Sequence, residues 1–404
     1  MDQCSVLFEY FQGFRISGIE LDRDSRDYIF TLEPDSTASC SCSKCGRSGL
    51  PIHDSTIRRV RDLPAFGHGS IIEFPRRRVL CPDCGPQLEL VSWLCPYMRL
   101  TRRLADNISW FLIGSTIRQV SRLFQLDWKT VKNVHKLSLR ERFSQLDLDG
   151  VQFLAMDEFA IQKGHRYATV IIEPRHRRVL WVCRGRSRED VRPFFEAMTQ
   201  DQRKAILAVA MDMTASYSLE VERYCPQAAV VYDLFHVVAK YGREVIDRVR
   251  VDEANRHRDD KAVRRLVKGS RWLLLRNPEN IGSEKDRQRL RDLLDANEAL
   301  SIVYILKDQL KRLWKYRHKG YAKRAWDQWK ALAEESCIEP LLKFVARLEP
   351  YIKGIIDHAR WPLNTSVLEG INNKIKVIKR MAYGYRDDEY FFLRIKEAFP
   401  GIGL

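Results

Sequence analysis

Two pairs of cysteines, each with the spacing Cys-x-x-Cys, place the strongest constraint on how this chain can fold. Cys42 and Cys45 form the first pair, Cys81 and Cys84 form the second, and a glycine follows each pair. Four thiolates at these spacings suit the tetrahedral coordination of Zn²⁺, and a glycine lets the backbone turn tightly beside the sulfurs. We therefore predict that the four cysteines bind one structural Zn²⁺ and organise an N-terminal module.

Other residues near the cysteine pairs leave alternatives open. Cys40 and Cys95 lie close in sequence and could substitute as ligands, and the thiols could also be merely reduced and buried. Between the pairs there is room for strands around Arg58–Val60 and Ile71–Phe74. The strip Arg76–Arg78 is expected either to contact phosphate or to form a solvated charged edge.

The charge of the chain points to a polyanionic partner. Its 404 residues include 69 Lys and Arg against 53 Asp and Glu, a formal net charge of +16, and nucleic acid is the leading candidate. A hydrophobic content of 45% allows a sizeable core and excludes a disordered tail or a disulfide-stapled miniprotein. We find no signal peptide or membrane span and expect a cytoplasmic protein with no membrane partner.

A helical pattern follows the cysteine-rich module and predicts two or three short helices between residues 101 and 143. Residues 116–124 and 129–137 flank a tight turn, which predicts a helix-turn-helix, with an ordinary helical hairpin as the alternative. Asp127 is expected to cap the second helix. Two of its valines, Val131 and Val134, are expected to face Val120 and Leu123. The exposed face of that helix carries residue types that contact DNA grooves and phosphates, namely Lys129, Thr130, Lys132, Asn133 and Lys136.

Short, apolar, β-rich runs then predict a sheet of five strands. These runs cover residues 152–156, 167–172, 179–183, 205–211 and 228–232. A hairpin is expected at residues 173–178 and a helix at about residues 189–199. The chain becomes helical and heavily charged from residue 235 to about residue 359, and a last helix is predicted from Ser366 to about Met381.

Three carboxylates are candidates for a metal-dependent active site. Asp157 is expected to end the first of these strands, Asp212 ends the fourth, and Glu369 lies in the last helix. The set suits in-line phosphoryl transfer with two Mg²⁺ ions. Strand-end capping by the two aspartates, and a capping box between Ser366 and Glu369, are the structural alternatives.

The last helix has two distinct faces. Its buried stripe is expected to consist of Leu368, Ile371, Ile375 and Ile378. Another face would present an acid, an amide and two cations to a phosphate backbone, and it consists of Glu369, Asn373, Lys376 and Arg380.

These motifs resemble the DDE transposases of the bacterial ISL3 insertion-sequence family over nearly the whole chain. The resemblance rests on the cysteine pairs, the helix-turn-helix and five further segments. These segments are Met156–Ala160 with Lys163-Gly164-His165 and Tyr167, then Asp212–Thr214, Tyr232–His236, Glu369–Lys376 and Lys379–Arg386. The segment Trp361–Asn364 departs from the family, in which a Ser-Asn pair is more usual before the last helix.

The resemblance implies a multidomain α+β protein whose ribonuclease-H-like α/β core is interrupted by an all-α insertion. Asp157, Asp212 and Glu369 correspond to the catalytic triad. Asp233 and His236 are expected to orient Asp212 or to hold a metal-bound water. The expected domains are a zinc-binding module at 1–100, a helix-turn-helix domain at 101–148, the first part of the core at 149–236, the insertion at 237–360 and the last part of the core at 361–404.

The implied function is DNA transposition. We expect a homodimer that binds the terminal inverted repeats of its element, and target DNA, and that cuts and joins strands with two Mg²⁺ ions, or Mn²⁺ in their place. In a bacterium the DNA-bound protein would associate with the nucleoid. Two alternatives remain open: a DNA-binding regulator without catalysis, and a metal-dependent nuclease that does not join strands.

Overall fold

The fold was analysed in a computed structural model that describes residues 10–162, 166–363 and 366–401. The chain separates into two compact units, Met1–Ser144 and Gln145–Leu404, and each contains both helices and strands, as expected for a mixed α/β chain. Lys163-Gly164-His165 and Asn364, which belong to the quoted motifs, lie outside the described residues. None of the described helices has the length and apolar composition needed to cross a membrane.

A five-stranded sheet forms the first half of the first unit. Its strands are β1 (Phe14–Leu21), β2 (Tyr28–Pro34), β3 (Ile52–Ala65), β4 (His68–Cys81) and β5 (Gly85–Leu88). The order is β1-β2-β4-β3, with β5 paired to β4. The short strands expected around residues 58 and 71 are parts of one long hairpin, which turns at Phe66 and Gly67 with positive φ at both. The second cysteine pair therefore lies at the turn between β4 and β5.

Three helices complete the first unit: α1 (Arg102–Leu112), α2 (Ile117–Leu123) and α3 (Trp128–Arg142). Val120, Val131 and Val134 are buried in their common core, as predicted. Asp127 caps α3, because its Oδ1 accepts a hydrogen bond from the backbone N–H of Lys129 at 2.8 Å. The prediction that Leu123 faces this core is wrong. Leu123 is 55% exposed, since Phe124 fills the buried position one turn after Val120.

The second unit contains a mixed sheet with the strand order β10-β9-β6-β7-β8. Its strands are β6 (Phe153–Gln162), β7 (Arg166–Glu173), β8 (Arg178–Arg184), β9 (Ala208–Met211) and β10 (Ala229–Tyr232). Strands β6, β7 and β8 form an antiparallel meander, while β9 is parallel to both β6 and β10. The predicted hairpin joins β7 to β8.

Two boundaries in this sheet differ from the sequence-based prediction. Asp157 does not end its strand, because β6 pairs with β7 as far as Gln162 and Asp157 lies opposite Val170. The fourth strand begins only at Ala208, since residues 200–205 form a helix. The expected helix at about 189–199 is α4 (Arg188–Glu196). A second helix, α5 (Gln200–Ala205), is capped by Thr199 and precedes the fourth strand.

One face of the sheet packs against helices that precede and follow β10. α6 (Ala215–Tyr224) lies between β9 and β10, and a helical segment follows β10. That segment contains α7 (Leu234–Tyr241), a π-helical turn (Gly242–Ile246), α8 (Asp247–Arg256), α9 (Lys261–Lys268), α10 (Arg271–Leu275), α11 (Glu284–Ala296), α12 (Glu298–Arg312), α13 (Lys319–Glu335), α14 (Glu339–Leu348) and α15 (Ile352–Asp357). Leu154 and Met156 of β6 share one core with Trp326, Trp329 and Phe344 of this segment.

The opposite face of the sheet is covered by α16 (Ser366–Met381) and α17 (Asp388–Ala398). Ala155 and Phe159, which flank Asp157 on the same side of the pleat, pack against the buried stripe of α16. That stripe is the predicted one, Leu368, Ile371, Ile375 and Ile378. Asp157 therefore faces α16 across the sheet surface. The capping box expected between Ser366 and Glu369 involves the Ser366 side chain, which lies outside the described residues.

Candidate active site and metal centre

The four predicted cysteine ligands converge in the first unit. The Sγ atoms of Cys42, Cys45, Cys81 and Cys84 all lie within 4.8 Å of one another, and those of Cys45 and Cys81 are 3.6 Å apart. A tetrahedral site with Zn–S bonds of about 2.3 Å requires sulfurs about 3.8 Å apart, so this cluster fits Zn²⁺. The backbone N–H groups of Cys45 and then Lys44 lower the pKa of the Cys42 thiol to about 7, whereas burial and the neighbouring thiols raise the pKa of Cys84 to about 12. A bound cation would therefore be needed to keep all four sulfurs as thiolates.

The alternative ligands and the arginine strip have other surroundings. Cys40 and Cys95 are both outside the cluster: Cys40 is buried beside Arg77 and Glu89, and Cys95 packs in the helical core. The guanidinium of Arg77 is itself buried in a bidentate ion pair with Glu89, with Nε to Oε2 at 2.8 Å. Arg78 pairs with Asp54, and Arg76 donates to the Glu89 carbonyl at 2.6 Å. All three arginines of the strip Arg76–Arg78 are therefore engaged in contacts within the first unit.

The predicted DNA-contacting residues of α3 lie on its outer side. Lys129 and Asn133 are exposed, while Thr130, Lys132 and Lys136 are half-buried. Arg140 and Arg142 extend the positive charge into the last turn of the same helix.

The second unit has a large cavity at the carboxyl ends of β9 and β10, beside the middle of β6. Its volume is about 1290 Å³, and its lining includes all five acidic or imidazole residues singled out from the sequence, namely Asp157, Asp212, Asp233, His236 and Glu369. Among the described residues, the four cysteines are the one group of three or more metal-ligating side chains that is close enough to hold a single ion. The carboxylates thus face a common space at wider separations.

Asp157 is held on both carboxylate oxygens. Its Oδ2 accepts a hydrogen bond from Nδ2 of Asn372 at 2.7 Å, and its Oδ1 accepts one from the backbone N–H of Glu158 at 2.8 Å. Burial nevertheless raises the pKa of Asp157, because these hydrogen bonds and the nearby His236 only partly offset the loss of solvent. An adjacent cation would stabilise the charged form of this carboxylate.

His236 lies between two carboxylates. Its Nδ1 is 3.2 Å from Oδ2 of Asp212, and its Nε2 is 3.9 Å from Oδ2 of Asp233. Burial alone would raise the pKa of Asp212, but the hydrogen bond and charge of His236 outweigh burial and lower it. The hydrogen bond to Asp212 in turn raises the pKa of His236. Asp233 also caps α7, since its Oδ1 accepts from the backbone N–H of Phe235 at 2.9 Å.

Glu369 lies in the first turn of α16 and is exposed to the cavity. Asn373 and Lys376 of the same helix also line the cavity, whereas Arg380 lines a second cavity farther along the helix.

Sequence reasoning missed two features of this site. Asn372 was overlooked as a site residue, although its spacing of three from Glu369 indicates the same side of the helix. Its Oδ1 is buried and has no hydrogen-bond partner among the described residues. The second feature is a basic wall from the helical segment, formed by Lys311, Arg312, Lys315 and Arg317. No local pattern predicts that wall, because it depends on how the helical segment folds over the sheet.

Comparisons with known proteins cover all of these parts. A family model described as a transposase, of the DDE class in ISL3 elements, matches residues 154–395. A zinc-finger model of transposases of the elements IS204, IS1001, IS1096 and IS1165 matches residues 38–84, and a helix-turn-helix model of transposase family ISL3 matches residues 89–136.

Curated relatives match along nearly the full length. The transposase for insertion sequence element IS1001 of Bordetella parapertussis is 51% identical over 395 residues, which is 96% of this chain and 96% of that protein. The transposase for insertion sequence element IS1557 of Mycobacterium tuberculosis is 24% identical over 407 residues, which is 93% of this chain and 90% of that protein.

Proposed function

This chain belongs to the ISL3 family of insertion-sequence transposases, and on that premise we propose that it cuts and joins DNA strands at the ends of its own element. The observation that carries the proposal is the convergence of Asp157, Asp212 and Glu369 on one cavity, although they come from three separate parts of the sequence. The three carboxylates are the proposed catalytic residues.

The strand order supports a ribonuclease-H-like core. An antiparallel meander, β6 to β8, is extended by two parallel strands, β9 and β10. Asp157 lies on β6, and Asp212 directly follows the adjacent strand β9. The helices from α7 to α15 enter between β10 and the helix that carries Glu369, which supports the assignment of this segment as an all-α insertion. We propose the domain boundaries given above from the sequence, with the insertion at 237–360 between the two parts of the core.

The donors in the cavity fit hard divalent cations. Carboxylate oxygens are the ligands that Mg²⁺ and Mn²⁺ prefer, and we propose that Asp157, Asp212 and Glu369 hold two such ions. Bound Mg²⁺ would supply Lewis-acid chemistry for in-line attack of water or a 3′-hydroxyl on a phosphodiester. His236 orients Asp212, Asp233 fixes the position of His236, and Asn372 orients Asp157.

DNA recognition is assigned to the first unit and to α16. The zinc-bound module supports the helix-turn-helix, whose α3 presents Lys129, Lys132, Asn133 and Lys136 to the terminal repeats. Asn373, Lys376 and Arg380 on α16 line the two cavities and are the proposed contacts to the DNA strand at the carboxylates. A homodimer follows from the need to hold two element ends together, and symmetric pairing is its simplest form.

The test compares wild type with Asp157→Asn on DNA that carries the ends of the element. We expect wild type to produce Mg²⁺-dependent cleavage and strand-transfer products, and the variant to bind the same DNA without producing either. Cleavage without strand transfer by wild type would identify a nuclease. Binding with no cleavage by either protein would identify a regulator and overturn the proposal.

A further inference from the structure

A second cavity extends from the carboxylate site along α16. Its volume is about 680 Å³, and it shares Glu158, Asn372 and Lys376 with the first cavity. The far end is formed by Arg380, Tyr383 and Gly384. The two cavities are therefore adjacent, and the path from Glu369 to Arg380 follows about 16 Å of one helix.

The surface of this extension is positively charged. Lys376 and Arg380 are exposed and lie one turn apart on α16. Lys379 is anchored, because its Nζ donates to the carbonyl of Ala160 at 3.2 Å, and this contact fixes the helix against the end of β6. Such a charged groove suits a phosphate backbone that leads away from the carboxylates.

Tyr383 occupies a backbone position that disfavours a side chain. The backbone N–H of Tyr383 donates to the carbonyl of Arg380, and that of Gly384 donates to the carbonyl of Lys379, which is the Schellman ending of a helix. The left-handed residue of this motif is usually glycine, but here it is Tyr383, with φ of +52°. Tyr383 therefore has a backbone conformation that glycine would adopt with less strain.

Packing does not explain that tyrosine. The side chain of Tyr383 is 102% exposed, whereas Tyr385, two residues later, stacks on Phe391 with ring centroids 4.5 Å apart. Phe66 and Tyr97 are also exposed aromatic residues with positive φ, but of these three residues only Tyr383 lines the basic groove beside the carboxylate site. That position indicates a ligand that the ring contacts.

We propose that this extension binds unpaired nucleotides of the DNA strand that leaves the carboxylate site, and that Tyr383 stacks on one of their bases. The inference rests on the proposed function for the identity of the strand. Base stacking on an aromatic ring is independent of sequence, and Lys376 and Arg380 would contact the phosphates on either side.

The test uses the full-length protein and a single-stranded oligonucleotide that contains 5-iodouracil, which forms photochemical crosslinks to aromatic rings in contact with it. Mass spectrometry should locate a crosslink at Tyr383, and fluorescence anisotropy should measure affinity for the same oligonucleotide. We expect Tyr383→Phe to keep both signals, and Tyr383→Ala and Tyr383→Gly to lose the crosslink and about tenfold in affinity. Tyr321→Ala, which removes an exposed tyrosine outside both cavities, is the matched control.

Tyr383→Gly separates this role from a structural one. Because glycine relieves the strain, the variant should melt at or above the wild-type temperature while it binds the oligonucleotide more weakly. Unchanged affinity in Tyr383→Gly, or equal loss in Tyr383→Phe, would overturn the inference. Asp157→Asn should retain the crosslink. A wild-type protein that gives a Tyr383-dependent crosslink but no cleavage would refute the proposed function alone. An active enzyme with no such crosslink would refute this inference alone.

Discussion

Asn372 of α16 donates a hydrogen bond from Nδ2 to Oδ2 of Asp157 on β6, at 2.7 Å, and so joins residues 215 positions apart. The contact ties the helix that carries Glu369 to the strand that carries Asp157. The relative position of these two carboxylates therefore depends on a neutral side chain as well as on the apolar packing beneath it.

Replacing Asn372 by Ala should slow strand cleavage by about 10- to 100-fold while end binding stays near wild type, because Asp157 loses an orienting partner and no phosphate contact is removed. Asn372→Asp should lose more activity, since it places a second negative charge beside Asp157. Rates are measured in single-turnover cleavage assays. Lys374→Ala, an exposed neighbour outside both cavities, should behave as wild type. Equal rates for wild type and Asn372→Ala would contradict the positioning role.

Glu369→Gln distinguishes a metal ligand from a helix cap. The amide keeps the size of the side chain and most of its capping capacity, so the variant should melt near wild type and bind terminal-repeat DNA. Cleavage and joining in Mg²⁺ should fall by orders of magnitude, because a ligand charge is lost. Near-normal cleavage would move the third acid elsewhere, with Asp233 the first residue to test.

The purified protein should contain close to one zinc per chain, and Cys81→Ser should lose most of it and destabilise the first unit, since metal binding contributes directly to folding of such modules. Elemental analysis and limited proteolysis provide the measurements. Cys337 is exposed and outside the cluster, so Cys337→Ser should keep its zinc. A zinc-free protein with an unchanged fold would contradict the assignment.

Changing Lys129, Lys132 and Lys136 together to Ala should weaken binding to the terminal repeat and make it less sensitive to salt. Each lost phosphate contact lowers the slope of log affinity against log salt by about 0.9. The control changes Lys285, Lys323 and Lys343, three exposed lysines of the second unit, and removes the same charge. If the two triple variants gave the same slope as wild type, α3 would not be the DNA-contacting helix.

Lys307 should make stability depend on pH. Its Nζ is buried and donates to the carbonyls of Leu274 and Arg276, and burial lowers its pKa from 10.5 to about 8. Between these two values the folded protein binds fewer protons than the unfolded chain, so stability increases as pH rises through this window and is lowest below pH 8.

Relative to Lys307→Met, wild type should therefore gain on the order of 3 kcal/mol in free energy of unfolding between pH 7 and 10.5. Denaturant titrations of both full-length proteins at several pH values give the difference in their free energies of unfolding. The contributions of the other titrating groups cancel in this difference. Lys323→Met, at an exposed position, should leave the pH dependence of wild type unchanged. Parallel pH profiles for wild type and Lys307→Met would show that Lys307 is protonated throughout.

Local patterns in the sequence determine much of this protein by themselves. The spacing of the cysteines identifies the four sulfurs that converge, and the pattern around Asp127 identifies a helix cap. The apolar period of α16 identifies its buried stripe. Each of these features depends on residues a few positions apart, or on metal ligands whose chemistry brings them together, so the sequence contains the whole signal.

Tertiary structure decides the rest. The position of Asp157 within β6, the contact of Asn372 with that carboxylate and the basic wall across the cavity all depend on packing between distant segments. Arg77 is also a buried partner of Glu89 because β4 continues past the predicted strand. The length of a strand depends on how far the neighbouring strand pairs with it. The hydrogen-bond partner of a polar side chain depends on which helix packs beside it. These outcomes depend on the energy of the assembled fold and leave no periodic signal in the sequence.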